Sequence, residues 1–177
     1  MASCEKILIA GFSGAGKSSF LKAIGADTPF GWDRFDDLDN LIAKKAGNDI
    51  PTIIALEGWP KFRQREQEAL AEWLQGKHTG VLALGGGTIT KEIYVSLNRM
   101  PKVRIVHLHA DFETCWKRLN EPLAAVRPLV QKGKMEMEKL YLERKIIFDL
   151  IPWKIKNPEG TSLKTAARQL WVEILTS

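Results

Sequence analysis

Gly11-Phe12-Ser13-Gly14-Ala15-Gly16-Lys17-Ser18 is the stretch that decides how this chain is read. It follows directly on the apolar run Lys6-Ile7-Leu8-Ile9-Ala10 and satisfies the pattern G-x-x-x-x-G-K-[ST]. Glycines at these spacings let the backbone curl so that successive N–H groups point inward at phosphate oxygens. The helix expected to start at Lys17 adds its positive end. Lys17 then reaches the β- and γ-phosphates, and the Ser18 hydroxyl is placed to ligate Mg²⁺. The alternative, a glycine-rich turn with an incidental lysine, fits poorly between a strand and a helix. Such a loop announces a nucleotide but not a reaction, since GTPases, large ATPases and small-molecule kinases all use it. The chain is short and carries no clear N-K-x-D guanine signature, which favours a small kinase using ATP.

Outward from this loop, composition points the same way. The 177 residues suffice for one sizeable core and leave little for a second, so one domain over residues 1–177 is expected. Apolar content of 45% and charged content of 27% are ordinary for a globular protein. No apolar run approaches the roughly 20 residues of a membrane span. Met1–Lys6 leads straight into a strand and leaves no room for a signal peptide. Cys4 and Cys115 offer neither a disulfide framework nor metal-ligand spacing, which suits a reducing, cytoplasmic setting. The net charge of +5 is spread along the chain, with a modest concentration from Lys132 to Lys156. That distribution suits a polyanionic small molecule better than nucleic acid.

Short apolar runs alternate with longer amphipathic stretches, the signature of an α/β fold with a parallel sheet. Strands are expected at Lys6–Ala10, ending near Phe35, and at Val81–Leu84, Val103–Leu108 and Trp153–Lys156. Helices are expected to start at Lys17, Leu38, Pro60, Lys91, Asp111, Lys134 and Ser162. In the Pro60 helix, Phe62, Ala69, Leu70, Trp73 and Leu74 share one face. Asn120–Lys134, with two prolines, a glycine and no firm periodicity, reads as a loop over the site.

Three further stretches bear on the phosphate acceptor. Asp37 and Asp39 lie two apart at a strand's carboxyl end, where one carboxylate can face a metal shell and the other a substrate; an acidic helix start is the competing reading. Arg63 sits beside the apolar face of its helix, where a guanidinium can grip a carboxylate with two prongs, and Glu66 lies three residues on. A solvated charged helix face is the alternative there. Gly85-Gly86-Gly87 end an apolar strand and let a ligand approach the backbone closely. Carboxyl ends of strands are where α/β sheets bind ligands.

Taken in order, these residues resemble the shikimate kinases over nearly the whole chain. The resemblance rests on the phosphate loop, Asp37-Leu38-Asp39, the F-R-x-x-E pattern at Phe62–Glu66, Gly80–Gly87, Arg127-Pro128-Leu129-Val130 and Glu143-Arg144. It implies a three-layer α/β/α P-loop kinase with a five-stranded parallel sheet of order 2-3-1-4-5. It implies transfer of the ATP γ-phosphate to the 3-hydroxyl of shikimate, in aromatic amino-acid synthesis, by a monomer. Carried over by motif, Gly14, Ala15, Gly16, Lys17, Ser18, Ser19 and Arg127 would bind ATP. Ser18 would ligate Mg²⁺ and Asp37 would touch it through water. Asp39, Arg63, Glu66, Gly85, Gly86, Gly87 and Arg144 would form the acceptor site. Arg63 and Arg144 would clamp the shikimate carboxylate, and Gly86 would offer its N–H. Lys17, Asp39 and Arg127 would be the catalytic groups, Asp39 as proton acceptor and Arg127 on the lid over residues 120–134.

The sequence departs from the family pattern in four places. Gly58-Trp59 replaces the usual Gly-Glu. The stretch from Lys17 to Asp37 is longer than usual. Lys145-Ile146-Ile147-Phe148 replaces N-P-L-Y. The adenine-stacking arginine has no clear match, because Arg118 stands too far from Arg127, and the adenine loop is placed only around Asn157–Ser162. A kinase for another small hydroxy acid such as gluconate, or a ligand-binding paralogue with little turnover, are the alternative readings. His107 and His109 read as structural on a buried strand, His78 as loop surface, Cys115 as helix packing and the other tryptophans as core or edge packing.

Overall fold

A computed structural model describes residues 5–25, 32–121, 130, 133–157 and 162–175. Strands β1 (Lys6–Ala10), β2 (Arg34–Asp37), β3 (Gly80–Ala83), β4 (Val103–His109) and β5 (Trp153–Lys156) form one parallel sheet in the order β2-β3-β1-β4-β5. This is the order expected from the resemblance. Every residue of β1 and β3 is buried, as a strand covered on both faces requires.

Alternation along the strands divides the core in two. Ile7, Ile9, Val81, Ala83, Val106 and Leu108 pack against Phe20, Leu21 and Ile24 of α1 (Lys17–Gly25) and Leu170 and Trp171 of α7 (Leu163–Leu175). Leu8, Ala10, Leu82 and Leu84 face the other way. They meet α2 (Leu38–Ala46), α3 (Ile50–Gln75), α4 (Lys91–Asn98), α5 (Phe112–Leu119) and α6 (Lys134–Phe148). Each fully buried Leu, Ile or Phe side chain contributes roughly 1.5–3 kcal/mol. The sheet is thereby a rigid platform, and its carboxyl edge carries the loops that follow β1, β2 and β3.

Most helices start where the sequence places them; Asp111 and Ser162 stand one residue before α5 and α7. The exception is α3, which begins at Ile50 rather than Pro60 and breaks at Gly58, where φ is 80°. Asp49 caps its first turn by accepting from the Thr52 N–H at 2.8 Å, with Pro51 beside it. The second arm buries Phe62, Ala69, Leu70 and Trp73, as its periodicity demands. The two readings of the Asp pair turn out to be compatible: Asp37 ends β2 and also caps α2, its carboxylate accepting from the Asp39 N–H at 3.0 Å.

Among the smaller expectations, His78 is corrected. It is half-buried, its ring 4.7 Å from that of Trp73, and burial lowers its pKa. Cys115 is fully buried packing, and burial pushes its thiol up to about 11. Cys4 lies outside the described residues.

His107 is 4% exposed, stacks on Phe148 at 4.9 Å between centroids, and has a buried Nδ1 without a hydrogen-bond partner. Burial, reinforced by the neighbouring His109, lowers its pKa to about 4. An unfolded histidine titrates near ~6.5. Between these values the unfolded chain binds a proton that the folded chain refuses. This contribution therefore leaves stability intact above ~6.5 and erodes it as pH falls toward 4. Urea unfolding at pH 7.5 and 4.5 should show the parent protein losing about 2–3 kcal/mol more than His107→Leu. Equal losses would contradict this.

Candidate active site

The loop after β1 folds as a phosphate cradle. Gly14 and Gly16 have φ of 82° and 91°, which side chains disfavour. Lys17 is 9% exposed, and its ammonium donates to the carbonyls of Gly11 at 2.8 Å and Phe12 at 2.9 Å. The Ser18 hydroxyl donates to Asp37 Oδ2 at 2.5 Å, which joins the start of α1 to the end of β2. Gly14, Gly16, Lys17, Ser18, Ser19 and Asp37 all line one cleft. Ala15 does not face it; the residue is fully buried, and its carbonyl accepts from Asn157 Nδ2 at 2.8 Å beneath the loop.

A second cleft adjoins the first. It is lined by Asp39, Arg63, Glu66, Gly85, Gly86, Gly87 and Arg144, every residue expected at the acceptor site. Its far wall is apolar: Ile50, Ile54, Trp59, Phe62 and Met137. The break at Gly58 sets Trp59 into this wall, its ring 5.9 Å from that of Phe62.

The charge arrangement is built around Glu66. This residue is 1% exposed, pairs with Arg63, and accepts from the Thr88 hydroxyl at 2.8 Å. The Arg63 guanidinium lies 5.4 Å from the rings of both Trp59 and Phe62. Arg144 reaches in from α6, donates to the Gly86 carbonyl at 2.9 Å and stands 5.5 Å from the Phe12 ring. Burial, and then the like charge of Arg63, lower its pKa to about 10, with Glu66 opposing. It remains a cation at neutral pH. The two guanidiniums converge on one point: a Cβ on Gly87 would lie 2.6 Å from Arg144 Nη2 and 2.9 Å from Arg63 Nη2. Glycine there leaves the forks open to a ligand.

Some residues at the site went unpredicted. Arg118, set aside on spacing, lies against the phosphate loop and lines its cleft. It donates to the carbonyls of Ala15 at 3.4 Å and Asn157 at 3.3 Å. The hydrogen bond from Thr88 to Glu66, the bond from Asn157 to the phosphate loop and the Ile50–Ile54 wall are scarcely marked in the sequence. Only Asp49 followed by Pro51, the pattern of a capped helix start, signals the last. Arg127 lies outside the described residues, as do most of the loop over 120–134 and of the stretch 157–162.

A sequence profile of the shikimate kinases matches residues 13–174. The chain belongs to the shikimate kinase family. The shikimate kinase of Francisella tularensis subsp. novicida is 33% identical over 172 residues, 96% of this chain and 94% of its own. The solved shikimate kinase from Acinetobacter baumannii, in complex with shikimate, superposes with a TM-score of 0.84 at 27% identity. That match covers 99% of this chain and 95% of the other. A gluconokinase from Sinorhizobium meliloti, at 16% identity and a TM-score of 0.60 over 99% and 94% of the two chains, shares the fold alone.

In this member of the shikimate kinase family, removing Glu66 strips two guanidiniums of their buried counter-charge. Glu66→Ala should cost about 3 kcal/mol in urea unfolding at pH 7. Glu66→Gln, which keeps the shape and the Thr88 bond, should cost less. A loss under about 0.5 kcal/mol in Glu66→Ala would mean the pair holds nothing together.

Proposed function

We propose that this chain is a shikimate kinase that transfers the γ-phosphate of ATP to the 3-hydroxyl of shikimate, giving shikimate 3-phosphate for aromatic amino-acid synthesis. The observation that carries the reading is the convergence of Arg63 and Arg144 over Gly87, in a cleft that adjoins a phosphate cradle. Two forked cations facing one open point are matched by a carboxylate. The apolar wall opposite suits the ring that bears it.

In this reading Arg63 and Arg144 clamp the acid, with Glu66 and Thr88 fixing the first of them. Gly85, Gly86 and Gly87 admit the ring against the backbone, and the Gly86 N–H donates to a substrate oxygen. Asp39 holds the hydroxyls and accepts the proton as the phosphoryl group moves. Gly14, Gly16, Lys17, Ser18 and Ser19 hold the nucleotide phosphates, with Ala15 keeping the loop in place from below. Arg118 flanks the base side of the cleft, and Arg127 descends with a lid over 120–134 onto the phosphates. Phosphoryl transfer has a loose transition state, so positioning and charge neutralisation dominate. Lid closure excludes water that would otherwise take the phosphate.

The donor set fits Mg²⁺. Ser18 and Asp37 are hard oxygen donors in hydrogen-bond contact at the cleft. Among the described residues no group of three or more His, Cys, Asp or Glu forms a protein-only metal cage. One hydroxyl and one carboxylate, completed by phosphates and water, is how Mg²⁺ is commonly held. The chemistry supplied by a bound Mg²⁺ would be neutralisation of the negative charge on the nucleotide phosphates. Ser18 would ligate it directly and Asp37 through water.

We take the chain as one P-loop kinase domain over residues 1–177, cytoplasmic and monomeric, with ATP and shikimate as its partners rather than nucleic acid or a membrane. No helix among the described residues is long and apolar enough to cross a bilayer.

Coupled ADP release with MgATP, with and without shikimate, tests the reading. Shikimate-dependent turnover is expected in the parent protein. Arg63→Ala should raise KM for shikimate about 10- to 100-fold, the worth of a charge-assisted bond. Asp39→Asn should lower kcat about a hundredfold. ADP release indifferent to shikimate, with gluconate or quinate turning over instead, would overturn the acceptor assignment.

A further inference from the structure

The phosphoryl group has to pass from one cleft to the other, and three residues line both: Ser13, Asp39 and Gly86. They form the neck between nucleotide and acceptor. Asp39 brings a carboxylate, which repels the negative charge spread over the oxygens of a phosphoryl group in flight. Gly86 brings backbone, with its carbonyl already taken by Arg144. Ser13 alone of the three brings a side-chain hydrogen-bond donor.

Its position is closely fixed. Ser13 is the third residue of the phosphate loop and only 9% exposed. The glycine strip after β3 presses against it: a Cβ on Gly86 would fall 2.5 Å from Ser13 Oγ and 2.9 Å from Ser13 N. On either side of Ser13 in the chain the loop is pinned. The Phe12 carbonyl accepts from Lys17 at 2.9 Å and from the Ala15 N–H at 3.1 Å. The Ser13 hydroxyl itself makes no hydrogen bond with the described residues, although the backbone around it is spoken for. An almost buried hydroxyl with no partner among the described residues, at the one place both clefts share, is a donor kept for a ligand.

We propose that the Ser13 hydroxyl donates a hydrogen bond to a non-bridging oxygen of the γ-phosphoryl group as it crosses the neck, offsetting the charge of Asp39. This makes Ser13 a further catalytic residue, and it rests on the site reading above. The bond strengthens as charge develops on the phosphoryl oxygens, so it acts on kcat more than on binding. The phosphoryl group moves from the β-phosphate oxygen to the acceptor hydroxyl oxygen, and the acceptor's proton goes to Asp39. Ser13 keeps its own proton throughout.

The test compares Ser13→Ala and Ser13→Cys with the parent protein; the thiol fills the hydroxyl's space, excludes water and donates poorly. Both variants should keep thermal midpoints and affinities for MgADP and shikimate close to those of the parent. In both, kcat should fall about tenfold or more, as when a positioned donor to developing charge is removed. Adenosine 5′-O-(3-thiotriphosphate) supplies a second readout, because sulfur on the γ-phosphorus accepts hydrogen bonds poorly. The rate ratio of ATP to this analogue should be smaller in the variants than in the parent. A kcat within twofold of the parent in both variants, or an unchanged ratio, overturns the proposal. Acceptor-free hydrolysis of γ-labelled MgATP separates it from the acceptor assignment. If the parent shows no shikimate-dependent turnover, hydrolysis that falls tenfold in Ser13→Ala supports the hydroxyl's role, and unchanged hydrolysis overturns it.

Discussion

Two guanidiniums cannot share a half-buried cleft without a negative charge behind them. Like charges in a poorly solvated space repel strongly, and each loses hydration as well. Glu66 meets that constraint. Its carboxylate lies under the glycine strip, bound to Arg63 on one side and Thr88 on the other. Much of the site follows from it. A side chain at Gly85 would collide with that carboxylate and with the Thr88 hydroxyl. Glu66 also opposes the like charge that Arg63 places beside Arg144 of α6. The turn after β3 therefore has to be glycine, and the second arm of α3 has to lie close against it.

The nucleotide side answers to a different constraint, the need to hold a strained loop still. The cradle is tied from below by Asn157 and Arg118, which close on the carbonyl of Ala15 from the ends of β5 and α5. It is tied from the side by the bond from Ser18 to Asp37. The sheet edge thus brings together residues from four separate connections. The P-loop fold, familiar from many reactions, becomes a particular kinase through what β2, β3 and α3 deliver to that edge.

What could be read from sequence was what is local. The phosphate loop, the Asp pair, the F-R-x-x-E pattern and the three glycines each carry their meaning within a few residues, and the structure brings them to two adjoining clefts. Arg144 was legible only through the family resemblance, since nothing in α6 marks it out from its neighbours. The spacing of Arg118 to Arg127 does not reveal its place, because it is the register of α5 that aims Arg118 at the cradle. Asn157 and Thr88 act through contacts with residues far away in the chain, for which no local pattern exists. The first arm of α3 was missed because Gly58 interrupts the periodicity just where a longer helix would have declared itself.

That interruption divides labour. One connection between α2 and β3 carries two short rods with separate duties. The first, before Gly58, contributes Ile50 and Ile54 to the apolar wall. The second contributes Arg63 and Glu66 and is anchored in the core by Ala69, Leu70 and Trp73. Because helical hydrogen bonding does not run regularly through Gly58, a change in the shape of the first rod is not passed rigidly to the second. The apolar wall can change shape without displacing Arg63 and Glu66, which stay coupled to the stability of the whole fold.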